Sequence, residues 1–302
     1  MLPFERVSII GLGLIGSSIA RAVREAMPTV RLTGHDASVE VRETVRALNL
    51  CDDVADAAGA AVTDADLVIL CVPVGAMSDV AASLAADMPA DAIISDVGSS
   101  KAGVAEALAK ALPNNVIVPA HPVAGTERSG PEAGFAALFH QRWCILTPAP
   151  GTSEAAVARV STFWERLGSN VEIMDPAHHD LVLAITSHLP HLIAYTIVGT
   201  ASDLESVTQS EVIKYSAGGF RDFTRIAASD PVMWRDVFLT NKDAVLEMLQ
   251  RFSEDLTALQ RAIRWGDGDT LFELFTRTRA VRRSIIEQGQ DDARPDFGRG
   301  DH

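Results

Sequence analysis

Short apolar runs alternate with stretches of helical spacing through the first half of the chain, and they stop after Asp175-Pro176. Residues 7–10, 30–34, 67–72, 92–96 and 116–120 are runs of this kind. They are too short for stable helices and mostly lack a polar face, as expected of strands covered on both sides. Helical spacing predicts helices over 13–26, from Ser38 as N-cap to about Leu48, and over 101–112. Two later strands, 143–147 and 171–174, flank a helix over 153–167. Strands alternating with helices in this way predict βαβ units and a parallel sheet.

From residue 176 the spacing is helical throughout. Segments 177–201, 205–215, 231–265 and 267–288 place apolar residues one turn apart, with Gly218-Gly219 and the stretch from Gly266 to Gly268 as breaks. The predicted organisation is therefore an α/β domain over 1–175 followed by an all-α domain over 176–288. A Gly-, Asp- and Arg-rich tail over 289–302 is expected to be disordered. Segments 181–201 and 237–259 are apolar over wide faces, which predicts packing against a second copy of the chain. His188, Pro190, His191 and Tyr195 interrupt 181–201, so it reads as a buried helix rather than a membrane span. No internal repeat is visible.

Composition narrows the possible partners. The net charge is −14 with a pI near 4.9. That disfavours nucleic acid and anionic membranes, which require clustered Lys and Arg. A small anionic ligand remains compatible, because a local group of Arg and His overrides the global field. Cys51, Cys71 and Cys144 lack metal-type spacing and read as reduced thiols of a cytoplasmic protein. The N-terminus enters a strand at once, leaving no room for a signal peptide.

Gly11-Leu12-Gly13-Leu14-Ile15-Gly16 follows the first strand and opens the first helix. In this context Gly11 permits a tight turn, Gly13 lets the backbone approach a pyrophosphate, and Gly16 lets helix and strand pack closely. Asp36, about twenty residues further on, ends the second strand, where an acid binds the ribose 2′-hydroxyl and repels a 2′-phosphate. Strand, loop, helix and acid together indicate a Rossmann-type domain for NAD rather than NADP. Val72 and Pro73 end another strand at the same sheet edge. They read either as cofactor contacts or as a plain strand terminator.

Three further segments carry candidate chemistry. Ser99 and Ser100 follow Asp96 and precede a helix, so they serve either as caps or as hydroxyls facing His121. His121 opens His-Pro-Val-Ala-Gly-Thr-Glu at the end of the next strand. It is either a base beside a nicotinamide or a histidine satisfying a backbone group. In the helical half, His188 and His191 lie one turn apart, with His178 and His179 upstream. No ligand spacing for a metal is completed. Arg221 and Arg225, behind Gly218-Gly219, suit a carboxylate if an irregular turn presents them, or are surface residues of a helix start.

The stretches HPVAGTERSG (121–130), SHLPHLIAY (187–195) and GGFRDFTRIAASDPVMWRD (218–236) resemble the prephenate and arogenate (cyclohexadienyl) dehydrogenase family. The likeness covers nearly all of residues 5–288. It implies an NAD-binding Rossmann-type domain followed by a helical dimerisation domain, and oxidative decarboxylation of prephenate or arogenate on the way to tyrosine. It further implies His121 as the base for the ring hydroxyl, Ser100 as a group orienting that hydroxyl, and Arg225 as the partner of the ring carboxylate. His188 and His191 would lie near the substrate side chain and nicotinamide, while Glu127, Asp222 and Trp234 would shape or gate the pocket. A residue around Gln141 would help to choose between the two substrates. Two other functions stay open on sequence grounds. One is a β-hydroxyacid-type dehydrogenase, although only Lys214 and Lys242 occur in the helical half to supply its usual lysine. The other is a protein that senses NAD without turnover.

Overall fold

The computed structural model describes residues 2–204, 214–215 and 217–287. The chain divides into two compact units, Met1–Leu246 and Glu247–His302. The tail expected from residue 289 and most of the helix expected over 205–215 lie outside the described residues.

In the first unit six strands make a parallel sheet: β1 (Arg6–Ile10), β2 (Arg31–His35), β3 (Asp53–Val54), β4 (Leu67–Leu70), β5 (Ile93–Asp96) and β6 (Val116–Ile117). Their order is β3-β2-β1-β4-β5-β6. The order reverses between β1 and β4, so the loops leaving these two strands open a crevice at the carboxyl edge. Alternate residues feed opposite cores, as the period of a strand requires. Val7, Ile9, Leu67 and Ile69 join one core with Phe163 and Trp164, while Ile10, Val68, Leu70 and Ile94 join the other with Val104 and Leu108. Helices α1 (Leu14–Ala26), α2 (Val39–Ala47), α3 (Ala58–Val62), α4 (Met77–Leu84) and α5 (Ala102–Ala111) connect the strands. Ser38 caps α2 by accepting from the Val41 amide at 3.3 Å. The sequence pattern does not foresee β3, α3 or α4, since a two-residue strand and very short helices carry little periodicity.

The run 116–120 is not one strand. β6 stops at Ile117, and β7 (Ala120–Pro122) belongs to a second sheet with β8 (Trp143–Leu146) and β9 (Asn170–Ile173). Pro119 has no N–H with which to continue a ladder, and the chain changes sheets there. His121 consequently lies inside a strand, opposite Ile145 of antiparallel β8. Helix α6 (Glu154–Arg166) links β8 to β9, which run parallel.

Helices follow. α7 (Pro176–Leu183) and α8 (Leu189–Asp203) are joined through a π-helical turn, Ala184–His188, so the stretch predicted over 177–201 is not a regular helix. α9 (Gly218–Thr224) begins at the glycine pair, which therefore starts a helix instead of forming an irregular turn. α10 (Pro231–Thr240) ends before Asn241 and α11 (Lys242–Trp265) starts after it, dividing the single helix predicted over 231–265. α11 crosses into the second unit, which also contains α12 (Gly268–Glu287). The run Pro176–Asp203 is long and apolar enough to cross a membrane by length and composition, and 28% of its most apolar window is buried. It is therefore not the buried helix expected from sequence. Leu181, Ile185, Ile197 and Val198 stay exposed on it in the single chain.

Candidate active site

The crevice between β1 and β4 has the features of a dinucleotide cradle. Gly11 adopts φ +98°, and a Cβ there would lie 2.5 Å from the Cys71 carbonyl oxygen. A Cβ on Gly16 would approach the Gly11 carbonyl oxygen to 2.0 Å, so α1 can sit this close to the loop only with glycine there. At Gly13 a Cβ would meet nothing within 4 Å. Gly13 is the N-cap of α1 and provides no side-chain cap. The first amides of the helix, with Leu14 and Ile15 half-exposed beside them, are thus left to an anion, which the helix N-terminus favours. Asp36 follows β2 and accepts from the Leu12 amide at 2.8 Å and the Ser38 amide at 2.9 Å. These bonds hold its carboxylate across the mouth of the glycine loop. Val72 is half-buried and Pro73 exposed on the β4 side.

Around His121 the structure assembles a hydrogen-bonded chain of three residues. His121 is 7% exposed, and its Nδ1 lies 2.8 Å from Nε2 of fully buried His179. His179 Nδ1 lies 2.8 Å from Oδ1 of Asp180. An ionised carboxylate can only accept, so His179 carries its proton on Nδ1 and accepts at Nε2. His121 must then donate from Nδ1, which leaves its Nε2 as a bare lone pair. Burial first, then the positive potential of His179, Lys101 and His188, holds the His121 pKa well below 6.5. Burial by itself would raise the Asp180 pKa. Bonds from His179 and the Ala102 and Lys101 amides outweigh it and keep the carboxyl below its usual value.

Asp180 also answers the capping question at α5. Its carboxylate accepts from the Lys101 amide at 2.7 Å and the Ala102 amide at 2.9 Å. Neither Ser99 nor Ser100 caps that helix, which has no side-chain cap of its own. Ser100 instead bonds Thr240 Oγ1 at 2.9 Å. Beneath His121 a fully buried ion pair joins Lys101 Nζ to Asp96. Lys101 Nζ also donates to the Ala120 carbonyl at 2.7 Å, and Asp96 accepts from the Ala120 amide at 3.3 Å. Both polar groups of the residue before His121 are therefore held by this pair.

Trp234, on α10, is 6% exposed and stacks on His191 with centroids 3.6 Å apart. Its ring also meets His188 edge-on at 6.0 Å. Burial lowers the pKa of His191, and the nearby Arg225 guanidinium lowers it further. Arg225 itself is exposed and pairs with Glu127 at 3.1 Å. His121, His188, His191, Trp234, Arg225 and Glu127 are thus linked by contact or charge. Asp222 lies one turn before Arg225, on α9, and is half-exposed. Gln141 sits on an exposed turn at φ 57°, where its amide donates to the Gly168 carbonyl. That bond does not tie it to the histidine cluster. His178 is exposed, unlike its neighbour His179, and no group of metal-ligating side chains forms among the described residues.

The sequence reading missed His179, Asp180, Asp96 and Lys101 as parts of this arrangement. An acid and a lysine five positions apart, spanning a strand end and a helix start, were a signal for the buried pair. Adjacent His179 and Asp180 carried none, because their partners are distant in sequence.

Residues 19–173 match the family model for the nucleotide-binding domain of prephenate dehydrogenase, and residues 175–277 that for its dimerization domain. The chain is 48% identical over 285 residues to cyclohexadienyl dehydrogenase of Zymomonas mobilis, covering 94% of this chain and 97% of that one. It is similar in structure to prephenate dehydrogenase from A. aeolicus in complex with hydroxyphenyl propionate and NAD+. There the TM-score is 0.87 at 33% identity, covering 93% of this chain and 98% of that one. Arogenate dehydrogenase from Synechocystis gives 0.78 at 25% identity, covering 93% and 99%.

Proposed function

This chain belongs to the prephenate dehydrogenase family, and on that premise we propose that it oxidatively decarboxylates prephenate to 4-hydroxyphenylpyruvate with NAD, or arogenate to tyrosine, in tyrosine biosynthesis. The observation that carries the reading is the Asp180–His179–His121 chain, which leaves an unprotonated imidazole nitrogen on the last member. Both substrates carry a ring hydroxyl whose proton must leave as the carbon beneath it is oxidised.

NAD suits the residues present: space above Gly13, the uncapped α1 N-terminus and the Asp36 carboxylate. Gly11, Gly13, Leu14, Ile15, Gly16, Asp36, Val72 and Pro73 would hold it. Bound there, NAD supplies the hydride acceptor. His121 Nε2 takes the hydroxyl proton, and Asp180, through His179, offsets the positive charge that forms. The ring carboxylate then leaves as CO2. Its bonding pair aromatises the ring, and His121 can return the proton to the resulting phenolate oxygen. Ser100 orients the hydroxyl. Arg225 receives a substrate carboxylate in exchange for Glu127, and Asp222 and Trp234 shape the pocket beside His188 and His191. Most of the rate enhancement comes from alignment and electrostatics, because aromatisation itself is strongly downhill.

We further infer a division near residue 175 between a nucleotide-binding and a helical domain, and a homodimer that covers the exposed apolar residues of Pro176–Asp203. Free thiols at all three cysteines fit a reducing, cytoplasmic location. Formation of NADH, followed by absorbance with prephenate and with arogenate, tests the activity. No signal with either substrate refutes it, and the ratio of the two kcat/KM values assigns the preference.

A further inference from the structure

Asn241 separates α10 from α11, leaves helical backbone at φ −110°, ψ 32°, and is buried. Its side-chain nitrogen donates to two acceptors, the Asp180 carbonyl at 2.8 Å and His188 Nδ1 at 3.1 Å. A backbone carbonyl only accepts, so the first contact identifies which end of the amide is the NH2. That NH2 has no lone pair to offer, so His188 Nδ1 must be the accepting atom in the second contact. A neutral imidazole accepting at Nδ1 carries its proton on Nε2. Burial lowers the His188 pKa to about 4, against the attraction of Asp180 and a weak hydrogen bond to the Ser99 backbone, so the ring is neutral at physiological pH. Nε2 is buried and reaches the Ser99 backbone only outside good hydrogen-bond geometry. A buried donor so poorly satisfied is costly in a finished core, but is what a site awaiting an oxygen ligand would keep. The ring belongs to that site, since it meets Trp234 edge-on, and Trp234 stacks on His191.

We infer that Asn241 is a positioning residue: by donating to Nδ1 it holds His188 as the Nε2–H form, so that His188 meets its ligand as a hydrogen-bond donor to an oxygen. The ligand's identity rests on the function proposed above, whereas the proton's position does not. The oxygen belongs either to the carboxamide of NAD or to the keto-acid side chain of substrate and product.

Two-bond proton–nitrogen correlation spectra of the full-length protein labelled with 15N-histidine test this, with His188 assigned by its loss in His188→Gln. In the wild type at neutral pH, His188 should show a bare Nδ1 and a protonated Nε2; the reverse overturns the inference without any variant at Asn241. Adding NAD alone, or 4-hydroxyphenylpyruvate alone, should shift Nε2 in one arm, which names the source of the oxygen. No shift in either removes the donor role. Asn241→Asp has the same shape but only accepts, so it should move the proton to Nδ1. It should also lower kcat/KM about ten- to a hundredfold, the range that loss of an orienting partner produces at metal-bound histidines. Unchanged spectra and kinetics in a folded Asn241→Asp protein refute the claim. A flat NADH trace with both substrates would sink the proposed activity while leaving the proton on Nε2 still to be read.

Discussion

His179→Phe isolates the contribution of the middle member of the histidine chain. Phenylalanine keeps a ring in a position that is fully buried and edge-on to His121, with centroids 5.1 Å apart. What disappears is the pair of 2.8 Å bonds, one to His121 and one to Asp180. Asp180 retains the Lys101 and Ala102 amides, so the N-terminus of α5 stays capped. His121 loses its one partner at Nδ1 among the described residues, and a buried donor without an acceptor costs about 1–3 kcal/mol. Stability should fall by about that amount, partly offset because burying a phenylalanine ring incurs no polar desolvation. The larger effect is on catalysis. When His121 becomes an imidazolium, a charge-assisted link to Asp180 worth about 1.5–3 kcal/mol is missing, so kcat should drop about ten- to a hundredfold. The proton on His121 is also free to move to Nε2, which removes the base from part of the population. Initial rates of NADH formation at saturating NAD, with urea unfolding on the same preparations, measure both quantities. NAD affinity, read by fluorescence quenching, should not change. A folded variant with kcat within about twofold of wild type would refute the role of the chain.

His121→Asn should abolish turnover with NAD binding intact, and Arg225→Gln should raise KM for substrate more than it lowers kcat; steady-state kinetics separates the two. Gly13→Ala should weaken NAD binding while leaving stability within about 0.5 kcal/mol, because the new methyl meets no protein atom. Gly16→Ala should destabilise by about 1–3 kcal/mol, because its methyl would sit 2.0 Å from the Gly11 oxygen; thermal melts with and without NAD distinguish the pair. Acid should destabilise the protein before its carboxylates titrate. The folded pKa of His188 is about 4 against 6.5 unfolded, so the unfolded chain binds the proton more readily. Its contribution is fully present above pH 6.5 and is lost as pH falls, roughly 3 kcal/mol by pH 4. His121, His179 and His191 shift in the same direction, and urea midpoints measured from about pH 7 to about pH 4.5 would show no such decline if these rings were protonated in the folded protein. Lys101→Met should cost about 3–5 kcal/mol in chemical denaturation by leaving Asp96 buried without its counter-charge, and adding Asp96→Asn, which removes the charge but keeps an acceptor for the Gly98 and Ala120 amides, should recover part of the loss.

The parts of the molecule legible in the sequence are those whose physics is local. An apolar run of strand length, a glycine loop between strand and helix, Asp36 at the next strand end and Ser38 as a cap each depend on neighbours within one turn or one strand. From these came the parallel sheet, the cofactor edge and the helical second half. The resemblance of residues 121–130, 187–195 and 218–236 to a family then named residues that the structure links by contact or charge: His121, His188, His191, Trp234, Arg225 and Glu127.

Other features were decided only by tertiary structure. That His121 sits within a strand follows from the change of sheet at Pro119, and the cap of α5 comes from Asp180, 79 residues beyond Lys101. Asn241 reads as one more position in a helical pattern until its amide is seen to span the Asp180 carbonyl and His188. The common reason is that burial makes a polar group find a partner, while nothing in the local sequence says which distant group the fold will bring to it. The amino-acid sequence determined by itself that an imidazole would follow the apolar run 116–120. Only the folded chain decided which of its nitrogens carries the proton.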